Sequence, residues 1–183
     1  MRSLSDLQKE AENYFRQMKL DQDAAKSAYK NILDSIDQTL KEGDYASLSR
    51  LIPYIEKGDG HLAFQYMGKT HRFLRMLHII ALENKYQKVL FCNGCNSVQA
   101  LWDKYMLTLF ALRRLCFQLS QESMEDAISY LHSYPISHFA VYIIAQDELL
   151  IPDRDFYKTL VFIYKKEWTA ADQTQFYSLT GML

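Results

Sequence analysis

Residues 97–119, SVQALWDKYMLTLFALRRLCFQL, decide the fold that this sequence predicts. Apolar side chains recur here at three- and four-residue spacings, which is typical of an α-helix with one wide apolar face. The members of that face are Val98, Leu101, Trp102, Tyr105, Leu109, Leu112, Cys116 and Leu119. The polar strip is narrow and consists of Asp103, Lys104, Arg114 and Gln118. We therefore expect a central helix that other helices cover.

The chain before this helix is also helical in its periodicity. Two apolar series follow one another, at Leu4, Leu7, Ala11, Tyr14 and Met18 and then at Ala25, Tyr29, Ile32, Ile36 and Leu40. No Gly or Pro separates them, so they form either one long helix or a helical hairpin over 1–43. A third helical series begins at Asp44 and is kinked at Pro53, and a long helix is predicted over 61–85.

Shorter helices are predicted after the central one, over 124–132, 137–150, 153–166 and 169–179, with breaks at Pro135, at Pro152 and near Trp168. The run FAVYII at 139–144 is ambiguous, because periodicity alone does not separate a short apolar strand from a helix. The prediction is a single all-α domain over 1–183, in which 1–43 packs on a core of 44–183. Successive antiparallel helical hairpins would form either a repeat-like array or an irregular bundle.

The predicted turns between helices resemble one another. Each places a large apolar residue after a polar pair, and these residues are Tyr45, Tyr86, Met124 and Trp168, which lie 41, 38 and 44 positions apart. A period near 40 is typical of stacked helical hairpins. The turns GDYASL at 43–48 and MEDAI at 124–128 resemble the inter-helix turn of tetratricopeptide-type repeats. That resemblance implies a helical-hairpin fold, although the period exceeds the 34 residues of that family.

Composition excludes several classes of protein. The chain has 183 residues, and 21 basic against 22 acidic side chains give it a formal net charge of −1. This balance lacks the positive charge of a general nucleic-acid binder. No apolar run approaches the roughly 18 residues that span a bilayer. Without a secretory leader and with three cysteines, the chain is expected to be cytoplasmic, with neither nucleic acid nor membrane as a partner.

Cys92 and Cys95 form a CNGC motif that follows the apolar run KVLF at 88–91 and precedes a helix. That order is similar to the strand–CxxC–helix order of thioredoxin-like sites, so a thiol redox or metal-binding function is the alternative prediction. The helical pattern on both sides supplies no intervening strand, and zinc needs about four ligands. The competing interpretation is two cysteines in a turn between helices, with no metal and no cofactor.

A basic strip is predicted on the helix over 61–85, opposite its apolar face. It consists of His71, Arg72, Arg75 and His78. The planar guanidinium of arginine can bind a carboxylate or a phosphate through two hydrogen bonds. We expect a protein or peptide partner of acidic character to bind here; an ordinary solvated helix face is the alternative.

The sequence contains no recognisable catalytic motif of the nucleotide-binding, hydrolase or triad type. It is rich in aromatic residues, with 13 Tyr, 10 Phe and 2 Trp, and such residues anchor many protein interfaces. The predicted function is therefore a non-catalytic helical module for protein or peptide interaction. A regulatory role and a homo-oligomer are both compatible with this prediction.

Overall fold

The computed structural model describes residues 3–57, 59–66 and 70–183. Within these residues every regular element is helical, which confirms the all-α prediction. The elements are α1 (Leu4–Glu42), α2 (Tyr45–Ser49), α3 (Leu51–Glu56), α4 (Asp59–Tyr66), α5 (Thr70–Lys85), α6 (Val98–Cys116), α7 (Gln121–Ser133), α8 (His138–Ile144), a π-helical turn (Ala145–Leu149), α9 (Arg154–Ile163) and α10 (Ala170–Thr180). No described segment crosses a hydrophobic bilayer as a helix, because none combines the required length and apolarity.

The N-terminal segment is one helix, α1, so of the two alternatives for 1–43 the single long helix is correct and the helical hairpin is wrong. Ser3 and Asp6 form a reciprocal capping box at its start, and Gly43 ends it in the left-handed region at φ 72°. Between these ends no residue interrupts the backbone hydrogen bonds, which is why the two apolar series share one face. At 1.5 Å per residue, the 39 residues extend about 58 Å.

Other predicted boundaries shift for local reasons. Of the helix predicted over 61–85, the structure describes two helical segments, α4 and α5, and residues 67–69 lie outside the described part of the chain. Pro53 lies in the first turn of α3, where a missing N–H costs little. The ambiguous run 139–144 belongs to α8, whose first turn is capped by the Ser137 hydroxyl accepting the Ala140 N–H.

Helix α6 is central, as its apolar face predicted. Tyr105, Leu109 and Leu112 are fully buried, and α6 packs against α7 as well as α1, α5 and α8. The buried side chains form one cluster that runs from Ile36 in α1 to Phe176 in α10. The helix ends at Cys116, so Leu119 lies beyond it and is exposed rather than on the predicted apolar face.

The four similar turns occupy different positions relative to the helices. Tyr45 begins α2, Tyr86 follows the end of α5, and Met124 lies inside α7. Trp168 precedes Thr169, which caps α10. The repeat-like arrangement and the tetratricopeptide resemblance therefore stay predictions.

Candidate functional site

The predicted basic strip lies on α5, and three of its four side chains face carboxylates of this same chain. Arg72 donates from Nε to Glu148 Oε1 at 2.8 Å and from Nη2 to Oε2 at 3.3 Å. The Nε atom of Arg75 lies 2.5 Å from an Asp147 oxygen but is not aligned for a hydrogen bond, so that contact is a charge pair. In the same strip, His78 approaches Glu56 at 3.3 Å, and His71 is exposed.

The π-helical turn brings Asp147 and Glu148 to α5. Tyr105, buried on α6, donates its hydroxyl to Glu148 Oε1 at 3.0 Å, so Glu148 joins α5 to α6. Burial alone would raise the pKa of Glu148, but the hydrogen bonds from Arg72 and Tyr105 bring it below its ordinary value. Glu148 is therefore an ionised partner that neutralises Arg72 inside the chain.

This pairing changes what the strip can do. An acidic partner would have to displace Glu148 from Arg72 and Asp147 from Arg75 before its own carboxylates could pair with these arginines in the same way. No local pattern in the sequence indicates this pairing, since Arg72 and Glu148 are 76 positions apart. The role of His71, Arg72, Arg75 and His78 in binding a partner stays a prediction.

Cys92 and Cys95 lie in the turn before α6. Cys92 is fully buried and Cys95 is half-buried, and Ser97, which caps α6, follows both. Burial raises the pKa of Cys92 to about 12, and it also raises the pKa of Cys95. A nucleophilic cysteine needs the thiolate form, so these surroundings disfavour the predicted redox function, and the metal-binding alternative stays a prediction.

Sequence reasoning missed a buried carboxylate, Glu83, that holds this turn in place. It accepts the N–H groups of Leu90 at 3.1 Å and Phe91 at 2.9 Å, while Lys104 Nζ donates to the Leu90 carbonyl at 2.8 Å. Burial raises the pKa of Glu83 to about 6 despite these hydrogen bonds. The spacing of the sequence could have indicated it, because Glu83 follows the buried residue Ile79 by about one helical turn and so lies on the same face of α5.

A metal centre would need several ligands in one place. Among the described residues, no three or more His, Cys, Asp or Glu side chains are grouped so that they could hold a metal ion.

The first part of α1, residues 5–17, is exposed on every side, and we call it the arm. Its large apolar residues are Leu7, Tyr14 and Phe15, which are 49%, 67% and 61% exposed. Farther along the same helix, Ile36 and Leu40 are only 1% and 3% exposed. The arm thus continues the packed apolar face of α1 without a neighbour from the described chain.

Comparisons with known proteins do not identify this chain. No family model matches it, and neither a curated protein nor a solved structure matches it significantly.

Proposed function

We propose that this chain is a non-catalytic protein-interaction module that binds an amphipathic helix of its partner along the arm. The observation that carries the proposal is the continuity of one apolar face along α1. The face is buried at Ile36 and Leu40, whereas at Leu7 and Tyr14 it is exposed. The arm therefore has the sequence of a packed helix but no described packing partner.

A helix that leaves its apolar face in water lacks the packing that stabilises most helices in proteins. An isolated helix of about a dozen residues is marginally stable in water, and most helical stability in proteins comes from packing an apolar face. The Leu7, Tyr14 and Phe15 side chains give the arm such a face within about 20 Å of helix. A partner helix would bury this face in the manner of coiled-coil packing.

Charge on the arm selects the partner's chemistry. Beside the apolar face, α1 carries Asp6, Glu10 and Asp21 at helical spacings, together with Asn13 and Gln17. Within the arm this flank contains two carboxylates, Asp6 and Glu10, and no basic residue, and Asp21 extends it by one further turn of α1. A partner helix with Lys or Arg beside its apolar face would complement it, in contrast to the acidic partner expected at the strip on α5.

The test is a fluorescence-anisotropy titration of the whole chain with a labelled synthetic amphipathic peptide that carries lysines beside its leucine stripe. We expect saturable binding that weakens as salt is added. The Leu7→Ser/Tyr14→Ser variant should bind at least about 30-fold more weakly, because truncating two central apolar anchors costs about 2 kcal/mol or more.

The matched control is Glu12→Ser/Arg16→Ser, which places two serines on the other side of the arm, away from the apolar face and from its acidic flank, and leaves the net charge unchanged. It should bind the peptide with nearly wild-type affinity. A peptide with glutamates in place of its lysines should bind more weakly than the lysine peptide. Equal weakening by both variants would contradict the proposal, and so would a concentration-dependent dimer that the Leu7→Ser/Tyr14→Ser variant abolishes, since the occupant would then be a second copy.

A further inference from the structure

A cavity of about 320 Å³ lies where α1, α5 and α6 meet, beyond the arm. Tyr29 and Leu33 from α1, Phe73 from α5 and Trp102 from α6 supply aromatic and aliphatic walls. Its volume is within the range of sites that hold small organic ligands. Neither the strip on α5 nor the CxxC turn contributes a residue to it.

Contacts between aromatic rings hold the aromatic wall of the cavity in position. The ring of Tyr29 meets Phe64 edge to face at 4.9 Å between centroids, and Phe64 packs on Phe73 at 4.6 Å. Both phenylalanines are buried, so they restrict the position of the Tyr29 ring behind the cavity. The cavity is thus preformed rather than dependent on a ligand to assemble it.

Negatively charged side chains outnumber positively charged ones at the cavity, and the two carboxylates differ in whether they already accept a hydrogen bond. Among the described residues, two carboxylates, Asp34 and Asp37, and one ammonium, Lys30, line it. Asp37 already accepts the N–H of Val98 at 2.7 Å and so caps the first turn of α6. Asp34 is exposed and makes neither a hydrogen bond nor an ion pair with the described residues, Lys30 included.

Aromatic rings beside an uncommitted carboxylate provide the chemistry that recognises an organic cation. Ring faces attract ammonium groups, especially quaternary ones, and a carboxylate adds direct charge attraction. We propose that this cavity binds a small organic cation, with its ammonium near Asp34 and its apolar body against Leu33 and Phe73. The inference does not depend on the partner of the arm, because the ligand enters a cavity formed by the helices themselves.

The test uses the full ¹⁵N-labelled chain and follows its two tryptophan indole signals by NMR, which the Trp102→Phe variant assigns. Benzyltrimethylammonium is the probe, and benzyl alcohol is its uncharged counterpart. We expect the Trp102 signal to shift saturably with the ammonium probe while Trp168 stays in place. The alcohol should bind more weakly by about fivefold or more.

Asp34→Asn removes the charge from an exposed side chain without touching the core, and Asp23→Asn is the matched control on the same helix. We expect the first variant to weaken probe binding about fivefold or more and the second to leave the dissociation constant unchanged. The proposal is overturned if the probe gives no saturable shift, if the alcohol binds equally well, or if the two variants behave alike.

Discussion

The buried carboxylate Glu83 makes the stability of this protein depend on pH. Its pKa is about 6 in the folded protein against an ordinary value of 4.5, because burial disfavours the ionised form. The folded state therefore holds the proton more tightly than the unfolded state does. This contribution to stability is fully present below pH 4.5 and is lost as the pH rises through 6. At 1.36 kcal/mol for each pH unit, the change amounts to about 2 kcal/mol.

The perturbation that isolates this effect is Glu83→Gln, compared with the wild type by urea unfolding between pH 4 and pH 7.5. Other carboxyl groups titrate in both proteins, so they cancel in the difference. Glutamine loses one acceptor for the N–H groups of Leu90 and Phe91, which adds a constant cost. On top of that cost, the variant should gain about 2 kcal/mol relative to the wild type as the pH rises.

The matched control is Glu12→Gln on the arm, which makes the same substitution at an exposed position. A wild-type-minus-variant difference for Glu83 that stays constant across this pH range, within about 0.5 kcal/mol, would contradict a raised pKa in the folded protein. It would mean that Glu83 holds its proton no more tightly in the folded state than in the unfolded one.

Three further predictions concern other parts of the chain. Arg72→Met should lower the free energy of unfolding by about 1–3 kcal/mol, because it leaves the Glu148 carboxylate without its cation; an unchanged urea midpoint would contradict the pairing. Cys92 should resist alkylation by iodoacetamide in the folded protein and react in urea, as peptide mass spectrometry would show; equal rates would contradict its burial. Gly43→Ala should cost about 1 kcal/mol, measured by thermal unfolding, since φ is 72° there; a stabilised variant would count against this conformation.

The sequence was informative where one local pattern decides the structure. The apolar spacing in 98–116 predicted α6 and its central position, because a wide apolar face must be covered whatever the topology. The sequence leaves the run 139–144 open between strand and helix, because periodicity does not separate the two in so short an apolar run. In the structure it forms α8, whose first turn is capped by Ser137. Helices were therefore predictable as a class, and their ends were less so.

The candidate sites depend on contacts between distant residues, which spacing does not show. The pairing of Arg72 with Glu148 requires the π-helical turn to meet α5, and no local pattern in the sequence specifies that meeting. The arm illustrates the same gap. Periodicity identified the apolar face at Leu7 and Tyr14, but it did not reveal that the described chain leaves this face uncovered.

Amide hydrogen exchange would show, residue by residue, whether a partner binds along the arm as we propose. In the free chain we expect the amides of residues 5–17 to exchange much faster than those of α6, because no described neighbour covers them. Adding the lysine-flanked amphipathic peptide should slow exchange in the arm and leave the α5 segment of His71 to His78 unchanged. Protection confined to that α5 segment, or no protection in the arm at saturating peptide, would contradict binding of the partner along the arm.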